Sequence, residues 1–145
     1  MQVTTPEYPQ CILGFDPWFV RILKAIVAII LIQTLYFKFS GAEESVFIFS
    51  KLGVEPWGRI GAAIAELLIV ILLFLPRTSW MGALLGIGTM FAAVGSHLFI
   101  IGIEVYEDGG LLFSLAIVCL IGCISLLAME KESAKIFFAR IQRGK

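Results

Sequence analysis

A chain of 145 residues is one domain by length, and 59 % of this one is hydrophobic while only 15 % is charged. Soluble domains carry roughly 45–50 % apolar and about 25 % charged residues, so a water-soluble fold of this size has too little interior for the excess, and lipid must take it. The net charge of zero offers nothing to a nucleic-acid backbone, and one His with an odd three Cys is too little for a His/Cys metal cluster or a disulfide framework.

Residues 1–17 hold no Lys or Arg, so the basic start of a cleavable signal peptide is missing. They are expected to form a cytoplasmic segment ahead of a retained anchor. The first apolar stretch, 18–37, is as long as a membrane span, for which about 17–25 residues are needed. It closes on a polar group of Gln33, Thr34, Tyr36 and Lys38. Ser40-Gly41-Ala42-Glu43 then has the form of a capping box, with Ser40 as N-cap and Glu43 at N3. It opens a short amphipathic helix carrying Val46, Phe47, Ile48, Phe49 and Leu52. Gly53 can stop this helix, which is expected to lie on or dip into the outer membrane face. A plain ordered loop is the alternative.

Pro56 precedes the second apolar stretch, 58–75, where a missing N–H costs nothing. Glu66 lies near its middle, following small residues at Gly58, Ala62 and Ala65 that allow another helix to come close. Pro76 to Ser79 form a tight turn. The third stretch, 80–103, carries Gly82, Gly86, Ala93 and His97 on one helical stripe, the mark of a packing face. Asp108-Gly109-Gly110 make the next turn, and the fourth stretch, 111–129, holds Ser114 near its start. Cys119 and Cys123 sit one helical turn apart within it. Cysteines so placed on one rigid helix are poorly set for a relaxed disulfide, and core packing is their plainer role. Residues 130–145 form a basic amphipathic cytoplasmic tail suited to anionic lipid, with Phe137 and Phe138 beside Lys135, Arg140 and Arg143.

The expected fold is therefore all-α: an integral membrane bundle of four transmembrane helices, with a short amphipathic outer-face helix between helices 1 and 2. Trp18, Trp57, Trp80 and Tyr106 fall at span ends, where an amphipathic ring prefers to sit. Arg21, Lys24, Arg77, Lys131, Lys135, Arg140, Arg143 and Lys145 share one side of the membrane, and Lys38, Lys51 and Arg59 the other. The excess predicts that both termini are cytoplasmic.

Ionisable groups inside a membrane are functional candidates by default. Glu66 and His97 lie roughly 12 Å and 9 Å below the outer surface at 1.5 Å per residue, on antiparallel neighbouring spans, and are expected within hydrogen-bond reach. Lys38 closes the first span on the same side, with Gln33 and Tyr36 beside it and Ser114 at similar depth. A polar site in the outer half follows, fit for a quinone headgroup, a proton relay or another polar ligand. A structural network that fixes helix register is the plainer reading, and snorkelling to the interface is the plainer role for Lys38. No metal site and no dinucleotide or phosphate-binding loop is evident.

The stretch LYFKFSGAEESVFIFSKLGVEPWGRIGAAIAELL resembles the DoxX family of small four-helix bacterial membrane proteins. The resemblance rests on Lys38–Gly41, the run Leu52–Pro56, Glu66 after small residues, His97 in the third span and the Glu107–Gly110 turn, and it covers about residues 18–129. It implies a cytoplasmic (inner) membrane location and association with redox systems. Some members are subunits of a thiosulfate:quinone oxidoreductase or membrane partners of thiol and superoxide defence enzymes, and distant relatives are assembly chaperones. The first expectation is thus an accessory subunit or anchor for a quinone- or thiol-linked system, with a membrane or soluble redox protein as partner and without independent catalysis. A non-catalytic assembly or scaffolding protein is the second. A small permease or proton pathway is the third, and it requires a homo-oligomer because four helices enclose little space.

Overall fold

The structure, a computed structural model, describes residues 16–75 and 77–130; Cys11, Pro76 and the basic tail from Lys131 onward lie outside the described residues. The chain folds into α1 (Pro17–Ser40), α2 (Glu43–Lys51), α3 (Trp57–Phe74), α4 (Ser79–Ser96), a π-helical turn (His97–Ile101) and α5 (Leu111–Met129). Among the described residues, α1, α3, α4 with its π-helical extension, and α5 are each long and apolar enough to cross a membrane. Eighteen helical residues in α3 span about 27 Å, close to the roughly 30 Å hydrocarbon core of a bilayer.

Each long helix buries one narrow stripe. On α1 the stripe is Val27, Leu31, Thr34 and Lys38, at helical spacings of four, three and four. On α3 it is Ala63, Glu66, Ile69 and Leu73. Ile69, Leu73, Cys119, Cys123 and Leu126 are fully enclosed with Val27 and Leu31 in a single core. The remaining faces are bare and apolar: Phe99 is 86 % exposed, Phe91 71 % and Ile29 64 %. Soluble monomers rarely expose apolar patches beyond a few hundred Å², so lipid is the solvent of these faces, and the chain is a multi-pass membrane protein.

α1 packs on α3 and α5, and α4 packs on the same two helices, so α1 and α4 stand at opposite corners of a square bundle. Glycines set the closest approaches. A Cβ on Gly82 would meet the backbone N of Leu73 at 2.9 Å, one on Gly86 the Cys123 Sγ at 2.6 Å, and one on Gly122 the Val27 side chain at 2.7 Å. The small-residue stripe of the third span is thus the packing face expected of it. Ala63, rather than Ala65, is the fully enclosed small residue of α3. At the end of the bundle away from α2, Lys24 on α1 meets Glu130 just past α5 at 2.5 Å. The ammonium offsets both the carboxylate and the negative end of the α5 dipole.

Two expectations need correction. Ser40 is not an N-cap: it is the last residue of α1, and its Oγ–H donates back to the Phe37 carbonyl. The break falls at Gly41, whose φ of 68° is left-handed, a conformation glycine adopts at no steric cost. α2 then begins after Ala42, without a side-chain cap. Gly53 does stop α2, at φ 72°, with the Gly53 and Val54 N–H groups turned back onto the Ser50 and Phe49 carbonyls, the paired bonds of a Schellman ending. The expected short helix between the first two spans is present as α2, which packs on α1, α3 and the π-helical turn and roofs the bundle. Second, the third span does not run as an even α-helix to Ile103. It widens at His97 into a π-helical turn closed by Gly102 N–H donating to the His97 carbonyl at 2.9 Å.

Candidate functional site

Beneath α2 the four long helices diverge around a cavity of about 410 Å³. Its walls are mostly apolar, with Leu31 and Phe37 from α1, Met90 from α4 and Leu112 from α5, and its roof includes Ser45 and Phe49 of α2. Lys38, Glu66, Thr34 and His97 enter the same wall. Ligand pockets of about 300–1,000 Å³ with apolar walls and a few convergent polar groups are the common form of small-molecule sites.

Glu66 is 3 % exposed and both of its carboxylate oxygens are engaged. Lys38 Nζ donates to Oε1 at 2.8 Å, and the single Thr34 hydroxyl proton is shared between Oε2 at 3.1 Å and the Leu31 carbonyl at 3.0 Å. Helical geometry makes this chelate: Thr34 and Lys38 are one turn apart on α1, so both side chains reach the same point on α3. The Lys38 backbone is fixed as well. Its carbonyl, freed where α1 ends, accepts a hydrogen bond from Arg59 Nη1, and Arg59 Nε donates to Glu55 Oε1 at 2.7 Å. Two ion pairs therefore stand in series across the junction of α1, α2 and α3.

His97 is 6 % exposed and is held by its own turn. Its Nδ1 lies 2.9 Å from the Gly102 carbonyl oxygen. That oxygen only accepts, so Nδ1 carries a proton and donates to it, which leaves Nε2 as the ring nitrogen free for another partner. The Phe113 ring sits 5.9 Å away, centroid to centroid. Among the described residues no hydrogen bond joins His97 to Glu66, so the expected Glu66–His97 pair is corrected: Lys38 and Thr34 take the place assigned to His97. The two groups share a cavity without touching.

The other expected residues divide. Gln33 lines the cavity edge. Tyr36 does not join the site: it is 70 % exposed, on the face of α1 away from the cavity, edge-on to Phe37. Ser114 is also outside it, its hydroxyl donating to the Gly110 carbonyl one turn back at 2.8 Å. Lys38 does not snorkel; it is drawn into the ion pair.

Sequence reasoning missed several contributors. Lys51 Nζ donates to the Ile101 carbonyl at 3.0 Å, fastening the roof to the end of the π-helical turn, and Phe47 meets Tyr106 edge-on at 5.2 Å. Asp108 accepts from the N–H groups of Val105, Gly110 and Leu112 at 2.9–3.0 Å and so caps α5. Burial alone would raise its carboxyl, but these three backbone bonds hold it below the ordinary value of 3.8. An Asp-Gly-Gly run before an apolar stretch was the available signal. Ser45, at 6 % exposed, has a buried Oγ with no partner among the described residues, and nothing in the sequence marked it. Cys119 and Cys123 are free and buried.

Comparison of the chain with protein-family models, with curated proteins and with solved structures returns no match.

Proposed function

We propose that the chain is a DoxX-like accessory subunit of a quinone-linked redox system in a bacterial cytoplasmic membrane, with the α2 end outward, both termini in the cytoplasm and a quinone headgroup seated beneath α2. The observation that carries this reading is the roofed, largely apolar cavity with a buried Lys38–Glu66 pair in its wall. A quinone supplies a lipid-soluble carrier of two electrons and two protons. Its flat apolar ring suits the walls, and its polar oxygens suit the few groups set among them. The Lys38 ammonium has three protons and places one on Glu66, which leaves donors for a carbonyl oxygen. Glu66 anchors that ammonium and offers a carboxylate near the headgroup for proton exchange. Electrons come from the redox partner in this reading, and the bundle provides the seat.

Equilibrium binding of a short-chain ubiquinone and a short-chain menaquinone to the protein in lipid nanodiscs tests this. The comparison is the Lys38→Met/Glu66→Leu variant, which removes both charges together and leaves none unpaired. Saturable binding that weakens tenfold or more in the variant is expected. Absence of saturable binding, or equal affinity in the variant, would overturn the assignment and favour a purely structural role for the pair.

A further inference from the structure

We infer that the α2 side of the cavity is a hydroxyl-recognition subsite, formed by His97 Nε2 and Ser45 Oγ, that selects the reduced quinol over the oxidised quinone. The inference rests on the quinone reading above and names the redox state the site prefers.

Two independent observations converge on it. The first is the tautomer of His97. His97 Nδ1–H donates to the Gly102 carbonyl at 2.9 Å, and the π-helical turn holds that carbonyl in place through the return bond from Gly102 N–H to the His97 backbone carbonyl. The ring is thus fixed in orientation, and the Nδ1–H tautomer offers a ligand the Nε2 lone pair. The second is Ser45, whose hydroxyl is buried without a partner among the described residues while the residue lines the same cavity from the roof. A ligand toward which this hydroxyl turns relieves the cost of leaving it unpaired, a factor of about 5 to 150 in affinity.

The two groups complement one chemistry. A ligand hydroxyl donates its proton to His97 Nε2 and accepts one from Ser45 Oγ–H. A quinone carbonyl accepts from Ser45 but faces the His97 lone pair with another lone pair. Lys38, which lines the same cavity from α1, provides a donor that suits either redox form. The prolonged backbone turn at His97 fits this role, since π-helical turns inside α-helices are frequent at functional sites.

The experiment compares three probes of one ring in nanodiscs: a short-chain ubiquinol, the matching ubiquinone, and the quinol dimethyl ether, which keeps the oxygens and loses both donors. Wild type is expected to bind the quinol about tenfold or more tightly than the other two, and the preference is expected to collapse in His97→Phe and in Ser45→Ala. Selective ¹⁵N-histidine labelling reports one residue, because His97 is the sole histidine. Quinol, and not the ether, should shift the Nε2 resonance of wild type, so the proposal stays testable if His97→Phe fails to fold. Equal affinity for all three probes, or a quinol preference with an unmoved Nε2, would overturn the subsite while leaving a quinone site in place. Failure of every probe to bind would remove both readings.

Discussion

Removing the Lys38 ammonium leaves Glu66 with one neutral donor in an apolar wall, and the cost can be bounded. At 2.8 Å and an effective dielectric of 20 the pair attracts with about 6 kcal/mol. Desolvating the two ions takes back several kcal/mol each, and the side chains are 16 % and 4 % exposed, so most of that penalty applies. The pair is therefore worth little against a matched apolar replacement, but breaking it by truncating one partner costs about 3–5 kcal/mol. Lys38→Met is expected to destabilise the bundle by that amount, and Lys38→Met/Glu66→Leu to return most of it. Reversible unfolding in mixed micelles, followed by helical circular dichroism, measures both and closes a double-mutant cycle. A Lys38→Met loss under about 1 kcal/mol, or additive effects in the cycle, would refute the claim that these two charges depend on each other in a dry environment.

Three further outcomes follow from particular contacts. Gly82→Ala should destabilise by about 1–3 kcal/mol, because its Cβ would meet backbone atoms of α3 that cannot move aside; Gly88→Ala, with open space around it, should be neutral or slightly favourable in the same unfolding assay. Asp108→Ala should cost about 1 kcal/mol at neutral pH as a lost cap. Because the folded carboxyl lies below its ordinary value of 3.8, this contribution is present in full above that value and disappears as pH falls through the lower folded value. The gap between wild type and Asp108→Ala should accordingly close on acidification, and a gap unchanged at low pH would contradict the capping geometry. In ¹⁵N spectra of the protein without added quinone, His97 should appear as the Nδ1–H tautomer; an Nε2–H signal would show that the Gly102 carbonyl does not fix the ring.

The architecture is legible because a bilayer leaves a strong signature: each span is an apolar run long enough to cross it, and Trp18, Trp57 and Trp80 fall at helix ends, whereas Tyr106 lies in the loop between Ile101 and Leu111. Glu66 and His97 were legible as inward-facing for a related reason, since the small residues around them mark the close-packed stripe. Their pairing was not legible. Depth along the membrane normal constrains which groups share a level, but azimuth around a helix decides which of them meet. Thr34 and Lys38 lie on the α1 stripe that faces α3, whereas Tyr36 is rotated away from it. The start of α2 was misread because a Ser three residues before a Glu fits a capping box, and the left-handed turn at Gly41 competes for the same residues. The π-helical turn has no periodicity to betray it, and the unpaired hydroxyl of Ser45 exists only once the roof is in place.

A quinone seat requires that α2 cover a binding space between the helices, and photoaffinity mapping addresses that most directly. An azido-quinone added to membranes containing the protein, then irradiated and digested for mass spectrometry, should label peptides from the α2 end of α1, from α2 and from the His97 segment, in competition with unlabelled quinol. Label spread evenly over the lipid-facing residues of all four long helices, such as Ile29, Ile71 and Ile121, and unaffected by competitor, would mean that the quinone contacts the protein only as a solute in the bilayer.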